Sequence, residues 1–270
     1  MKKNRKFRKL KIVLIVVLVI VVGLGGITVY NLGARGGIGP LGFIKDQRMA
    51  KLEWNAEEYH LENVEALEDS PLSGMNICFL GSSVTYGASS LGVSFVEYIA
   101  ARNDCTYVKE AVSGTTLADN GSYSYVQRML NNIDTEAEFD AFVCQLSTND
   151  ATRGIDMGEV SDSYDLEDFD TSTVIGAMEY IICYAQETWE CPVIFYTGTQ
   201  YDSDQYAEMV ESLYDLQEKW GIGIIDLWNG LDVDIDEYDL YMADSIHPTQ
   251  AGYLEWWTPA MEEVLYSILG

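Results

Sequence analysis

Two short segments of the sequence carry side chains that could act together in nucleophilic catalysis. Gly81-Ser82-Ser83-Val84-Thr85 follows an apolar run and places serine hydroxyls at the end of a predicted strand. Asp244 and His247 lie three residues apart in "DSIHP". A carboxylate at this spacing can bond one imidazole nitrogen and fix the tautomer, which leaves the other nitrogen to take a serine proton. The residue types indicate serine hydrolase chemistry, while a serine-containing turn and a capping aspartate beside a loop histidine remain the alternative.

Two further residues follow predicted strands and could stabilise a developing oxyanion. Gly114 ends the run "TYVKEAVSG", and glycine lets a backbone N–H approach a ligand closely. Asn149 follows the run in "VCQLSTND", and its side-chain amide is a neutral hydrogen-bond donor. Ordinary turn chemistry would also explain both residues. His60, the only other histidine, lies among glutamates and is typical of a solvated helix face.

The elements that must position these residues form an alternating pattern. Five short apolar runs are predicted strands, at 75–80, 106–112, 140–146, 191–198 and 221–228. Amphipathic patterns predict helices at 93–103, 172–189, 203–220 and 251–269. This alternation predicts a parallel sheet covered by helices on both faces, and such sheets bind ligands at the carboxyl ends of their strands. The segment at Gly81 lies at one such end.

The four segments, in their chain order, resemble the blocks of the SGNH hydrolase superfamily, the GDSL-like esterases and lipases, over about Met75 to Gly270. The resemblance implies a three-layer α/β/α sandwich with a five-stranded, flavodoxin-like parallel sheet. Ser82 stands where the first block of the family has an acid, and Ser147 stands where its third block has a glycine. These two departures leave the proposed catalytic groups in place and affect the fine geometry of the pocket.

The resemblance also implies a role for each candidate residue. Ser83 corresponds to the nucleophile, and Asp244 and His247 correspond to the acid and base of the last block. The oxyanion hole would consist of the Ser83 N–H, the Gly114 N–H and the Asn149 amide. No cofactor or metal is implied.

The strongly acidic charge of the chain excludes nucleic acid as a partner. The sequence has 16 basic and 43 acidic residues, and seven of the basic ones lie in the first 11 positions. From Gly154 to the C-terminus, Lys219 is the only lysine or arginine. Such a surface excludes nucleic acid, which requires a basic footprint. A segment with seven acidic residues after Arg153 is expected near the pocket mouth, where it would favour neutral or cationic substrates.

The N-terminal part of the chain predicts membrane attachment. Residues 12–29 are free of charge and follow the basic cluster, which predicts a transmembrane anchor over 12–30, a cytoplasmic tail over 1–11 and a domain outside the membrane. A cleaved signal peptide, which would make the protein secreted, is the alternative. Residues 31–74 are expected to form a stalk and residues 75–270 the hydrolase domain.

We therefore expect a single-pass membrane protein with an extracytoplasmic serine esterase domain that hydrolyses short acyl esters, acetyl esters first, of small molecules or carbohydrate. An O-acyltransferase or lysophospholipase with the same triad is an alternative within enzymes. A non-catalytic wall- or ion-binding module is another, because "DVDIDEYD" alternates acids but lacks the glycine and glutamate of an EF-hand loop. Cys183 and Cys191 could pair if their helix and strand meet.

Overall fold

A computed structural model describes Gly26 and residues 42–270. The chain divides into two units at Leu52: the first contains helix α1 (Gly42–Met49), and the second is the compact unit Glu53–Gly270. The predicted cytoplasmic tail, and the predicted anchor apart from Gly26, lie outside the described residues. Within the described part of the chain, no helix has the length and apolar character needed to cross a membrane.

The compact unit contains the five-stranded parallel sheet that the sequence predicts. The strands run in the spatial order β2-β1-β3-β4-β5, and every neighbouring pair is parallel. This order is that of flavodoxin-like doubly wound sheets. The strands are β1 (Asn76–Gly81), β2 (Thr106–Ala111), β3 (Ala141–Gln145), β4 (Val193–Tyr196) and β5 (Gly223–Ile225).

Helices cover both faces of the sheet and create one core on each side. One core packs α4 (Tyr125–Asn132), α6 (Val174–Trp189) and α7 (Asp204–Trp220) against Cys78 and Leu80. The other packs α3 (Phe95–Asn103) and α11 (Thr258–Leu269) against Ile77 and Phe79. Alternate residues of β1 thus enter opposite cores, as the pleat requires. The helices are α2 (Ser83–Tyr86), α3 (Phe95–Asn103), α4 (Tyr125–Asn132), α5 (Thr148–Arg153), α6 (Val174–Trp189), α7 (Asp204–Trp220), α8 (Leu227–Gly230), α9 (Tyr238–Tyr241), α10 (Gln250–Gly252) and α11 (Thr258–Leu269).

The compact unit begins earlier than the domain boundary expected from the sequence. Residues 53–63 form three short 3₁₀ turns. The Tyr98 hydroxyl donates to the Tyr59 carbonyl (2.6 Å), and Asn55 both donates to the Ser89 carbonyl (3.2 Å) and accepts from the Gln250 N–H (3.1 Å). These hydrogen bonds attach a segment that was expected to belong to a stalk to the α/β unit.

The middle of the acidic segment after Arg153 does not lie near the pocket mouth, where the sequence analysis expects it. Its middle is held by Lys219, whose ammonium donates to the Ser161 carbonyl (2.7 Å) and the Ser163 carbonyl (2.5 Å) and pairs with buried Glu179 (2.6 Å). Lys219 lies in the last turn of α7, which returns from the carboxyl edge of the sheet to its amino edge. The middle of this segment is therefore anchored at the amino edge, away from the pocket mouth.

The cysteines form no disulfide, and all five are free thiols. Cys183 lies on α6, where its thiol contacts the Tyr164 carbonyl (3.6 Å), and Cys191 precedes β4. The pairing of these two residues that the sequence left open is absent. Burial raises the pKa of both thiols to about 11, so both remain protonated at neutral pH.

Candidate active site

The turn that carries Ser83 is held by a buried glutamine. Gln145, the last residue of β3, accepts hydrogen bonds through Oε1 from the Ser82 N–H (2.8 Å), the Thr85 hydroxyl (2.8 Å) and the Thr85 N–H (3.3 Å). A Cβ at Gly81 would overlap the Thr85 side chain at 1.7 Å, so only glycine allows this close packing. The turn therefore has one well-determined position, with Ser83 as the first residue of α2.

The loop that carries His247 is closed by Asp244. Oδ1 of Asp244 accepts from the backbone N–H groups of Ile246 (2.8 Å) and His247 (2.9 Å). The Ala243 N–H donates to the His247 carbonyl (2.9 Å), and Met242 forms an isolated antiparallel bridge with the residue that follows His247. The "DSIHP" segment is thus a tight loop whose shape depends on the same carboxylate that faces the imidazole.

Ser83, His247 and Asp244 form one hydrogen-bonded line at the carboxyl edge of the sheet. Nε2 of His247 lies 2.9 Å from Oγ of Ser83, and Nδ1 lies 2.9 Å from both carboxylate oxygens of Asp244. An ionised carboxylate can only accept, so Nδ1 carries the proton of a neutral imidazole and Nε2 accepts from the serine hydroxyl. This is the arrangement in which a histidine can remove the serine proton.

The Asp244 carboxylate remains ionised over a wide pH range. Burial raises its pKa, but the hydrogen bond and charge of His247, together with the two backbone N–H groups, outweigh burial and lower the pKa to about 2. A permanent negative charge at this position stabilises an imidazolium formed when His247 takes a proton.

Two of the three predicted oxyanion donors have free N–H groups. Within the described residues, the N–H of Ser83 and the N–H of Gly114 form no hydrogen bond. Gly114 has a φ of +79°, a left-handed conformation that favours glycine. Asn149 differs, because both Nδ2 hydrogens already have protein acceptors: the Ser82 hydroxyl (3.2 Å) and the Thr115 carbonyl (3.0 Å). For Asn149 to reach an oxyanion, one of these bonds must be shared or exchanged.

A buried arginine, which sequence reasoning missed, ties the two strand ends together on the oxyanion side. Arg128, on α4, is 2% exposed and donates to the Gly81 carbonyl (2.8 Å), the Thr115 hydroxyl (3.0 Å) and the Tyr123 carbonyl (3.0 Å). It also pairs with Glu110 (3.0 Å). Because these partners lie in β1, in β2 and in the loop that carries Gly114, Arg128 fixes the relative positions of the Ser83 and Gly114 segments.

Sequence reasoning also missed Gln145, although one signal was present: it is a polar residue at the end of an otherwise apolar strand run. His60, in contrast, lies apart from the catalytic line and bonds the Asn55 carbonyl (3.3 Å). Chemically, the arrangement can add a serine oxygen to an acyl carbon, and the N–H groups of Ser83 and Gly114 are free to donate to a ligand.

The chain matches one protein-family model and is similar in fold to several solved structures. The family model of the GDSL-like Lipase/Acylhydrolase family matches residues 79–254. Similar solved structures include a protein from Lactobacillus plantarum (TM-score 0.58, 20% identity, 73% of this chain and 97% of that chain). A possible lipase from Chitinophaga pinensis is also similar (TM-score 0.56, 15% identity, 72% of this chain and 98% of that chain). A third similar structure is the lipase/acylhydrolase from Enterococcus faecalis (TM-score 0.50, 19% identity, 73% of this chain and 97% of that chain). At these identities the three structures show a shared fold, and no curated protein matches the chain.

Proposed function

Because this chain belongs to the GDSL-like lipase/acylhydrolase family, a family of ester hydrolases, we propose that it hydrolyses short acyl esters with Ser83 as the nucleophile. The observation that carries the proposal is the line from Asp244 through His247 to Ser83, with 2.9 Å at each contact. The match of the family model confirms the family resemblance predicted from the sequence, and the individual roles below are our proposal.

In the first half-reaction, Nε2 of His247 takes the hydroxyl proton while Oγ of Ser83 attacks the ester carbonyl. The carbonyl π electrons move to oxygen, and the free N–H groups of Ser83 and Gly114 stabilise the resulting oxyanion. The imidazolium, held by Asp244, then returns its proton to the departing alcohol. An acyl-enzyme and a free alcohol result.

In the second half-reaction, water replaces the alcohol. His247 removes a proton from the water, which attacks the acyl carbon and forms a second tetrahedral oxyanion in the same hole. Collapse releases the carboxylic acid, and the proton returns from His247 to Oγ of Ser83. Asn149 contributes once its bond to the Ser82 hydroxyl, the longer of its two at 3.2 Å, is exchanged for the oxyanion.

We propose acetyl or other short acyl groups on carbohydrate as the substrate. The segment that lines a pocket beside Gly114 is Asn-Gly-Ser-Tyr-Ser at 120–124, and its amide, hydroxyl and aromatic groups suit a hydroxylated ring better than a long apolar chain. The basic, then apolar N-terminal sequence supports an extracytoplasmic location, where wall and environmental carbohydrate is accessible.

The proposed function is tested with a panel of 4-nitrophenyl esters of increasing acyl length and with acetylated saccharides. We expect the highest kcat/KM for acetyl esters and a loss of turnover in Ser83→Ala. Ser83→Ala should keep the circular dichroism spectrum and melting temperature of the wild type, because the Ser83 hydroxyl bonds only His247 among the described residues. Full esterase activity in Ser83→Ala would refute the nucleophile, and a preference for long acyl chains would refute the substrate class.

A further inference from the structure

A pocket beside the proposed oxyanion hole contains a cation and no acid. Its volume is about 290 Å³, and its lining consists of Gly114, Thr115, residues 120–124 and Arg153. In a chain with 43 acidic residues and only 16 basic ones, a pocket without a carboxylate beside a proposed oxyanion donor is unexpected. The size suits a group comparable to one sugar ring, since small-ligand pockets begin at about 300 Å³.

Arg153 reaches this pocket from the helix that also supplies Asn149. The two residues are four positions apart on α5, so they share one helix face with Cβ atoms about 5–6 Å apart. Asn149 donates to the Thr115 carbonyl (3.0 Å), and Nη2 of Arg153 donates to the adjacent Gly114 carbonyl (2.6 Å). The guanidinium therefore lies about one helical turn from the proposed oxyanion donor.

Arg153 is also the cation of the compact unit that lacks a carboxylate partner. Within residues 53–270, each of the other four lysines and arginines forms a salt bridge: Arg102, Lys109, Arg128 and Lys219. In the part of the chain that the structure describes, Arg153 is exposed and its guanidinium donates to the Gly114 carbonyl. Since one Nη2 hydrogen is used, the Nε and Nη1 donors remain for a ligand.

Two acidic residues next to this pocket's lining in the chain or on α5, Asp119 and Asp150, accept hydrogen bonds from other partners. Asp119 accepts from the Ser124 hydroxyl (2.8 Å) and the Gln127 amide (2.7 Å). Asp150 is buried and accepts from the N–H groups of Leu117 (2.8 Å) and Ala118 (3.0 Å). Burial raises the pKa of Asp150, while its hydrogen bonds and the charge of Arg153 oppose the rise. Neither carboxylate forms a contact ion pair with Arg153 in the described structure.

We propose that this pocket binds a carboxylate on the alcohol part of the substrate and that Arg153 is its specificity-determining residue. The inference rests on the proposed function and narrows the substrate class to short acyl esters of sugar acids, such as uronic acids. Guanidinium and carboxylate pair through parallel N–H···O bonds, which makes arginine the suitable donor. The acidic surface does not prevent this contact, because salt at about 0.15 M screens exposed charges beyond about 8 Å.

The test compares two substrates that differ at one carbon: a mono-O-acetylated methyl glucuronoside and the corresponding methyl glucoside. Acetate release gives kcat/KM for the wild type, Arg153→Gln and Arg153→Lys. We expect the wild type to prefer the glucuronoside. Arg153→Gln should lower the ratio of kcat/KM for the glucuronoside to kcat/KM for the glucoside about 10-fold or more, as expected for a lost hydrogen bond to a charged group. Arg153→Lys should retain part of the preference, because it keeps the charge and loses the planar fork.

Arg102→Gln is the matched control, since it removes the same charge at the C-terminal end of α3, at the opposite edge of the sheet. It should leave the substrate preference intact. An equal loss on both sugars in Arg153→Gln would show that Arg153 only supports the Gly114 turn, and would overturn the inference. So would a wild type that does not prefer the glucuronoside. If the wild type hydrolyses neither acetylated sugar, or none of the esters in the panel, the result would count against the proposed function itself.

Discussion

Replacing Gln145 with methionine tests whether the nucleophile turn depends on one buried acceptor. Gln145 is 1% exposed, and methionine keeps its unbranched length while removing Oε1. The Thr85 hydroxyl can still bond the Tyr196 hydroxyl (2.6 Å), but the N–H groups of Ser82 and Thr85 lose their acceptor. A buried unsatisfied donor costs about 1–3 kcal/mol, and the bond to the Thr85 N–H is long at 3.3 Å, so the free energy of unfolding should fall by about 2–4 kcal/mol.

This loss leaves a folded protein, since domains of this kind have free energies of unfolding of about 5–15 kcal/mol. The catalytic consequence should exceed the structural one. A turn without its anchor no longer holds Oγ of Ser83 at 2.9 Å from His247, and a displacement of about 1 Å lowers a rate about 10²-fold. We therefore expect a large decrease in kcat with a smaller change in KM.

Urea denaturation followed by circular dichroism measures the stability, and 4-nitrophenyl acetate hydrolysis measures the rate. Gln186→Met is the matched control: Gln186 lies on α6 and donates to the Trp220 carbonyl (3.2 Å), at the amino edge of the sheet. It should lose little stability and no activity. If Gln145→Met unfolds at the wild-type urea concentration and hydrolyses the ester at the wild-type rate, the turn does not need the Oε1 acceptor and the reasoning is refuted.

Three further changes test separate parts of the structure. Asn149→Ala should lower kcat about 10²–10³-fold with little change in KM, and a loss below about tenfold would remove Asn149 from the oxyanion hole. Asp244→Asn should lower kcat about 10²-fold or more. Because the pKa of Asp244 is lowered from 3.8 to about 2, its charge contributes stability that is complete above pH 3.8 and is lost as the pH falls toward 2. The difference in urea midpoint between wild type and Asp244→Asn should therefore be constant at neutral pH and become smaller below about pH 4. A difference that already becomes smaller near pH 6 would contradict the lowered pKa of Asp244. Lys219→Met should cost about 3–5 kcal/mol by leaving buried Glu179 without its cation, yet keep kcat/KM for small esters, and a loss of activity without a loss of stability would contradict the placement of the acidic segment.

The sheet was predictable because each strand is a short apolar run between helical patterns. Helix α7 begins where its pattern predicts, and Ser203 caps it by accepting from the Tyr206 N–H (3.2 Å). Helix α4 was missed, since its sequence YVQRMLNN is short and places Arg128 inside the core. A charged side chain is buried there because five partner atoms surround it, and four of them come from Gly81, Glu110 and Thr115, whose pairing with Arg128 leaves no local pattern.

The candidate site shows the same division between local and long-range information. Asp244 and His247 are three residues apart, so their contact follows from local geometry. The contact of His247 with Ser83 spans 164 residues and was expected from the residue types of a serine hydrolase and the resemblance to the family's blocks. The partners of Gln145, of Arg128 and of the acidic segment were not predictable, because each set depends on hydrogen bonds between segments that no motif connects.

Covalent trapping tests the proposed serine nucleophile most directly. The protein is incubated with a fluorophosphonate, and intact mass and peptide mapping locate the adduct. The account predicts one adduct per chain on Ser83, a parallel loss of esterase activity, and protection by an acetyl ester substrate. An adduct on another serine, or esterase activity that persists after Ser83 is fully labelled, would contradict it.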